Sequence, residues 1–522
     1  MRRLVAEGRW GTKVGAGFYK RSENGEILSL DLSTLEYRPR REPTPFPAEI
    51  EKLPLNERLH RLWKLSPEHD GGFLQEMLRS TLGYIAEVTP EVTERIVEVD
   101  DAFIDGFGWE MGPFHMLDAL SPVIDWPTGE PQLIAHLHQI PLSLEGKGAM
   151  EEAAQGTVPG FYVEEDSRHY YFDFHKKRWT PLLHPVGVIV LKDLKKAGKV
   201  VEEMENAALV DLGDDVLCLE WRTKMNTLHP ELIAFFETAR LRAEQDFAAL
   251  IIGGSGQHFS AGYDLRRFLA RIEMQDWDGL DALLRLFQDA LMGFKYATVP
   301  VIGTAYGYTL GGGCETILHC TAVQAAFESA IGLPEANVGL IPAGGGTTQM
   351  LLRTLDKVPP GTLLEPVDLY PVLQPLWEIL RAGRFSSCAD DARQLGFLRP
   401  TDGITRHPDR LLHDAKTRAL TLVAEYTAPP RATAMVMGET GFARFRWELH
   451  LLRSANKITE HDARVAEKLA YVLTGGALIH PTEVAEQYLL DLEREVFLQL
   501  AGTPETLARI QHLLETGKPL RN

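Results

Sequence analysis

Two glutamates stand twenty positions apart, each behind a turn marked by glycine or proline: Leu310-Gly311-Gly312-Gly313-Cys314-Glu315 and Gly332-Leu333-Pro334-Glu335. Upstream lies His258-Phe259-Ser260-Ala261-Gly262-Tyr263-Asp264-Leu265. Together these segments suggest two carboxylates and an oxyanion hole of backbone amides. Such a set suits the movement of a proton, or of water, at a carbon next to an activated carbonyl. Hydrating a conjugated double bond needs one group to activate water and another to deliver a proton to the α-carbon. Shifting a double bond needs only one.

Each piece taken alone has a plainer explanation. Glu315, in the first turn of an expected helix, complements the helix dipole. Glu335 follows a proline and can simply start another helix. Gly311, Gly312 and Gly313 lack Cβ atoms, so backbone there can approach a ligand closely, yet most triple glycines are only tight turns. The helix expected from Glu315 to Leu318 would offer unpaired amides at its start. A second amide would come from Ala261-Gly262-Tyr263, which also reads as an ordinary strand-to-helix connection. It is the co-occurrence of these pieces that points to chemistry.

Other motifs narrow the field. Ile341-Pro342-Ala343-Gly344-Gly345-Gly346-Thr347-Thr348 is a further glycine-rich helix start, but it lacks the Gly-Lys-Ser/Thr ending of a nucleotide-hydrolysing loop. Gly15-Ala16-Gly17 has no strand before it, so it is not a dinucleotide fingerprint. The histidines are scattered, and His319 beside Cys320 reads as core. Four cysteines show no metal spacing and fit a reducing compartment. With no secretory signal and no apolar run long enough for a membrane span, a cytoplasmic location is expected. The net charge of −19 argues against a nucleic-acid binder. A phosphate-bearing substrate would then need a local basic patch. Arg266 and Arg267 offer one, although each is equally a solvated helix charge.

The elements that must position these residues come in blocks. At 522 residues, two or three domains are expected. Residues 1–38 read as the end of a helical unit, and the proline- and charge-rich 39–47 as a connector. Residues 48–145 look helical, with Phe73, Met77, Tyr84 and Ile85, then Ile96, Val99, Phe103 and Ile104, at helical spacing. Gly106 to Trp109 and Gly112-Pro113 end one helix and start another. Aromatic stretches in 150–204 suggest a hairpin or small sheet bridging two larger units. From 205 to 403, strands at 216–219, 249–252 and 299–303 alternate with helices, the signature of βα units on one sheet. Residues 404–522 read as helical, with amphipathic stretches at 461–473 and 482–500, and 358–376 as a proline-rich insertion.

Six motifs in order make residues 205–403 resemble the crotonase, or enoyl-CoA hydratase/isomerase, superfamily. They are Met225-Asn226-Thr227-Leu228, Phe259 to Leu265, Gly307-Tyr308 with Gly311 to Glu315, Gly332 to Glu335, Gly339 to Pro342, and Gly344 to Thr347. The resemblance implies an α/β core of ββα repeats wound as a spiral. It implies an oxyanion hole from the amides of Tyr263 and Gly312, a water-activating Glu315 and a proton-exchanging Glu335. Substrate contacts would fall at Ala261, Asp264, Leu265, Arg266 and Gly311. Family members that only isomerise tend to lose the first glutamate, so the pair implies hydration of a coenzyme A thioester, without metal or redox cofactor. Two departures stand out: Tyr263 replaces a small residue, and Thr321 replaces an aspartate.

The flanks resemble bifunctional fatty-acid oxidation proteins. Gly8 to Tyr19, Glu98 to Trp109, Gly112-Pro113-Phe114 and Asp118 are similar to the all-α C-terminal domain of 3-hydroxyacyl-CoA dehydrogenases. Glu467 to Tyr471 and Glu493 to Glu495 are similar to the helical end of the bifunctional proteins. The implied partners are an acyl-CoA substrate and, for assembly, a second copy, a thiolase or an NAD-binding dehydrogenase subunit. No NAD-binding fingerprint is present in the sequence, so no dehydrogenase activity is expected from this chain alone. The rival expectations are a Δ3,Δ2-enoyl-CoA isomerase and a non-catalytic or split-dehydrogenase scaffold.

Overall fold

The computed structural model describes residues 2–22, 25–40, 50, 53–65, 71–126, 131–137, 160–165, 168–182, 186–358 and 368–522. Most of the connector expected at 39–47, and much of the insertion expected at 358–376, lie outside the described residues. The chain divides into two compact units, Met1–Leu183 and His184–Asn522.

The first unit is helical in its middle, with helices Leu55–Trp63, Gly71–Val92, Ile96–Phe107 and Pro113–Leu120. Gly108, in the left-handed conformation at φ 69°, caps one helix, and Pro113 opens the next. Both positions were legible as punctuation. The helix over 71–92 forms, but of the expected stripe only Ile85 turns inward. Phe73 and Tyr84 are 70% and 66% exposed, while Leu82, Ile85 and Ala86 are buried. Two further expectations need correction. Residues 1–38 are not mainly helical: after a five-residue helix they form antiparallel strands Tyr19–Arg21, Ile27–Leu30 and Tyr37–Pro39, folded back at Gly25 with φ 89°. The expected bridge carries a three-stranded antiparallel sheet, Tyr162–Glu165, Arg168–Asp173 and Arg178–Pro181. Its neighbourhood supplies Phe161 and Tyr171 to the same core as Leu82, Ile96 and Phe114, so the sheet belongs to this unit rather than bridging two, while the elements among the described residues of 48–145 are all helices, as expected.

The second unit is built on a seven-stranded sheet. Its strands are β1 (Val200–Met204), β2 (Ala207–Asp211), β3 (Val216–Trp221), β4 (Ala249–Ile252), β5 (Val301–Ala305), β7 (Ala322–Ala326) and β9 (Gly403–Thr405). They lie side by side in chain order, antiparallel from β1 to β3 and parallel from β3 to β9. Strands β6 (Tyr308–Leu310) and β8 (Ala330–Gly332) leave this sheet and pair with each other in parallel. Strand β5 begins at Val301 rather than at Val299, where its apolar run starts, because the intervening Pro300 has no amide to give to a ladder.

Both faces of the sheet are covered, so its strands read as continuous apolar runs. Leu217, Leu219, Leu250, Ile252 and Val301 face a core that includes helices α1 (Pro230–Asp246), α2 (Leu265–Glu273) and α3 (Trp277–Lys295). Val216, Cys218, Ala249, Ile251 and Ile302 face the other way, onto Leu412, Ala415 and Ala419 of a helix at Leu411–Val423. The period of two sends alternate residues to opposite layers.

Two short helices frame the site, α4 (Gly312–Leu318) and α5 (Gly346–Leu355). The C-terminal region is helical, as expected, with α6 (Glu460–Leu473), α7 (Glu486–Ala501) and α8 (Pro504–Thr516). The amphipathic stretch read as 482–500 starts differently. Thr482–Ala485 is a strand paired with Thr433–Val436, and the helix begins at Glu486.

Candidate active site

Strand β6 runs through Gly311 into α4, and β8 runs through Leu333-Pro334 to Glu335. Because β6 and β8 pair, the two glutamate-bearing turns are brought together. The Gly311 amide donates to the Gly332 carbonyl at 3.0 Å and ties one turn to the other. Gly311 has φ 53° and ψ −125°, which only glycine adopts freely. A Cβ there would also come 3.1 Å from Glu335 Oε1. Glycine is required twice over, by conformation and by the carboxylate beside it.

The third turn arrives from β4. Gly262, at φ 100°, packs against the start of α4, and a Cβ on it would lie 3.2 Å from the Leu310 carbonyl and 3.6 Å from the Gly312 amide nitrogen. Ser260 Oγ accepts from the Gly262 amide. Leu228 forms a parallel bridge opposite Tyr263, donating to the Gly262 carbonyl and accepting from the Asp264 amide. In that pattern the Tyr263 amide itself points away from Leu228. Gly312 is the first residue of α4, where amides have no acceptor within the helix. Two amides on contacting turns thus flank a cavity of about 510 Å³, a size usual for a small-molecule site.

The cavity holds both glutamates. Glu315 is 4% exposed. Its Oε1 accepts from the amides of Gly344 at 2.7 Å and Gly346 at 2.9 Å. Burial raises its pKa from 4.5 to about 7, against the pull of these two amides. Glu335 is raised well above the carboxylate range by burial and then by the charge of Glu315, and its Oε2 is buried without a hydrogen-bond partner. Two desolvated carboxylates with unequal surroundings, facing one cavity, are a proton donor and acceptor in waiting.

Of the other expected site residues, Ala261, Tyr263, Leu265, Gly311 and Gly312 line the cavity. Asp264 and Arg266 are not among its lining residues. Asp264 caps α2, its Oδ1 accepting from the Arg266 amide at 3.1 Å. Arg266 is exposed, and Arg267 pairs with Glu231 at 3.1 Å. The Tyr263 ring packs on Phe268 with centroids 4.2 Å apart and narrows this wall. Thr321 continues the β5–β7 edge, its Oγ accepting from the Val301 amide. His319 is core: buried, its Nδ1 at 2.8 Å from the Glu315 carbonyl oxygen, with burial lowering its pKa to about 4.

The sequence reading missed the contribution of the last helices. Phe497 of α7 and Leu513 of α8, with Pro519, complete the apolar wall. It also missed Glu493, a wholly buried carboxylate on α7. Its signal was present: Leu489, Val496, Phe497 and Leu500 form an apolar helix face, and Glu493 falls in the middle of that stripe. Burial drives its pKa up, opposed by the hydroxyl and amide of Thr348 and the amide of Gly345. The Gly344-Gly345-Gly346 turn, which resembles a phosphate loop, is therefore an anion cradle filled from within by Glu315 and Glu493.

A sheet of βα repeats whose turns bring two amides and two carboxylates to one apolar cavity is the crotonase architecture. Residues 216–358 match the family model for enoyl-CoA hydratase/isomerase, and this part of the chain is a domain of that family. A Bacillus subtilis protein named as a probable 3-hydroxyacyl-CoA dehydrogenase is 34% identical over 100% of this chain, which spans 64% of that relative's length. A probable enoyl-CoA hydratase of Rhizobium meliloti is 33% identical over 26% of this chain and 50% of its own. Among solved structures, the enoyl-CoA hydratase of Bacillus halodurans is 17% identical, covers 59% of this chain and 100% of its own, and has a TM-score of 0.41.

Proposed function

We propose that this chain adds water across the double bond of trans-2-enoyl-CoA thioesters to give 3-hydroxyacyl-CoA, in fatty-acid oxidation. The observation that supports the reading is the Glu315–Glu335 pair, both lining one apolar cavity with two amides at its edge. The acyl chain would lie against Phe268, Phe287 and Phe497, with the thioester oxygen toward the amides of Tyr263 and Gly312. As water attacks the β-carbon, Glu315 takes its proton and charge moves onto the thioester oxygen. Each amide aimed at that oxygen is worth roughly 3–4 kcal/mol of barrier. Glu335, kept protonated by burial and by its neighbour's charge, gives its proton to the α-carbon. The next turnover requires that proton to pass from Glu315 to Glu335. The reaction uses no metal and no redox cofactor.

The test is loss of the conjugated enoyl-thioester absorbance with crotonyl-CoA and with a longer trans-2-enoyl-CoA. Glu315→Gln and Glu335→Gln should each lower kcat by about 10²- to 10⁴-fold. No turnover by the parent with either substrate rejects hydration. Conversion of a 3-enoyl-CoA that survives Glu315→Gln but not Glu335→Gln would make it an isomerase instead.

A further inference from the structure

We infer that Glu493 is a positioning residue, pinning the back of the Gly344-Gly345-Gly346 turn so that the turn's other amides are aimed at Glu315. The inference deepens the hydratase reading and rests on it for its kinetic consequence.

The geometry is a two-sided clamp. Gly345 has φ 100° and ψ 2°, a left-handed conformation that reverses the direction of successive amides. The amides of Gly344 and Gly346 therefore meet Glu315 Oε1, while the amide between them meets Glu493 Oε2 at 2.9 Å. Glu493 Oε1 accepts from the Thr348 amide at 2.5 Å and the Thr348 hydroxyl at 2.7 Å. Helix α7 also grips the entry to the turn. Gln288 of α3 donates to the carbonyls of Ala343 at 2.8 Å and Leu490 at 3.0 Å, and its own Oε1 accepts from Arg494. The turn has little room to drift, since a Cβ on Gly345 would come 2.7 Å from the His319 ring.

A carboxylate in an apolar seam is costly unless several donors satisfy it. An ordinary packing role would be met by leucine, as at the neighbouring positions of α7. What Glu493 does that leucine cannot is hold three donors at the start of α5, and those donors share their turn with the two amides that grip Glu315. Removing it frees the Gly345 amide, lets the turn rotate, and changes how Glu315 is held.

The test compares Glu493→Gln with the parent by two readouts. The first is the infrared carboxyl band assigned to Glu315 by its loss in Glu315→Gln, which requires no turnover. The second is the split between kcat and KM for crotonyl-CoA. We expect the Glu315 band to shift, and kcat to fall by about 10- to 100-fold, the effect of a misplaced reacting group, with KM little changed. In a Glu315→Gln background, Glu493→Gln should add nothing further to the loss in kcat, because both act through one carboxylate. An unmoved band, or losses that multiply in the double variant, overturns the assignment and leaves Glu493 a fold residue. If Glu493→Gln does not fold, Thr348→Val removes one donor from the same oxygen and is read the same way. If the parent turns over no enoyl-CoA, the hydratase reading falls, while the band still decides whether Glu493 positions Glu315.

Discussion

Glu315 ties the chemistry of the site to the stability of the fold. Free glutamate ionises near 4.5, whereas burial holds Glu315 near 7. Between those values the unfolded chain has released the proton that the folded chain still keeps. Stability therefore declines as pH rises through this window and levels off above it. Glu335, raised by burial and by the charge of Glu315, acts in the same direction. Glu315→Gln removes the charge but keeps an oxygen for the Gly344 and Gly346 amides. Its melting temperature should exceed the parent's by more at pH 8 than at pH 5. Equal differences at the two pH values, measured calorimetrically, would show that Glu315 is not held as a desolvated carboxylate. The burial that the proposed proton transfer would use is in this sense a liability to the fold, as functional sites often are.

At the scale of elements, three turns of the site each hold one glycine at positive φ, Gly262, Gly311 and Gly345, and the turns at Gly262 and Gly311 lie beyond strands. That is why the site was largely legible. The strands at 216–219 and 249–252 announced themselves as apolar runs, and Gly262, Gly311 and Gly345 marked the turns that follow strands or open helices. The face of a lone amphipathic helix was not legible in the same way. Phe73, Met77 and Tyr84 have the right spacing, but only tertiary packing decides whether that stripe or the Leu82-Ala86 stripe turns inward. Nor was α7's share of the cavity legible, because Phe497 lies more than 150 residues beyond Glu335 in sequence. Phe497 packs near Phe268 with ring centroids 5.5 Å apart. Phe497→Ala should open this wall, at about 3–5 kcal/mol of stability. The ratio of kcat/KM for a long enoyl-CoA to that for crotonyl-CoA should rise by about tenfold, one to two methylenes' worth of apolar contact. A ratio that stays constant would place the acyl chain elsewhere.

The whole molecule is two units with separate cores. The sheet, the glutamates, the amides and the helices that wall the cavity all belong to His184–Asn522. A chain of residues 184–522 should therefore unfold in one cooperative transition and hydrate crotonyl-CoA with a kcat within about threefold of the full chain's, a difference of less than about 1 kcal/mol in barrier. Loss of activity with folding intact would mean that the first unit takes part in the chemistry. The chain spans 64% of the length of the Bacillus subtilis relative. Among the described residues, no helix is long and apolar enough to cross a membrane.

The strands of the large sheet lie in the order in which they are made, β1 through β9 with only β6 and β8 set aside. A chain emerging from the ribosome can thus add each strand to the one before it. The turns that line the cavity do not mature on the same schedule. The amides of Gly345 and Thr348 wait for Glu493, and the cavity wall waits for Phe497 and Leu513, long after Glu315 and Glu335 have been synthesised. The nascent sheet can be formed while its reactive pocket is still open to solvent and its anion cradle half filled. Under the proposed reaction, a chain stalled before α7 and α8 would carry both glutamates without Glu493 to hold the Gly345 turn and without the wall of Phe497 and Leu513.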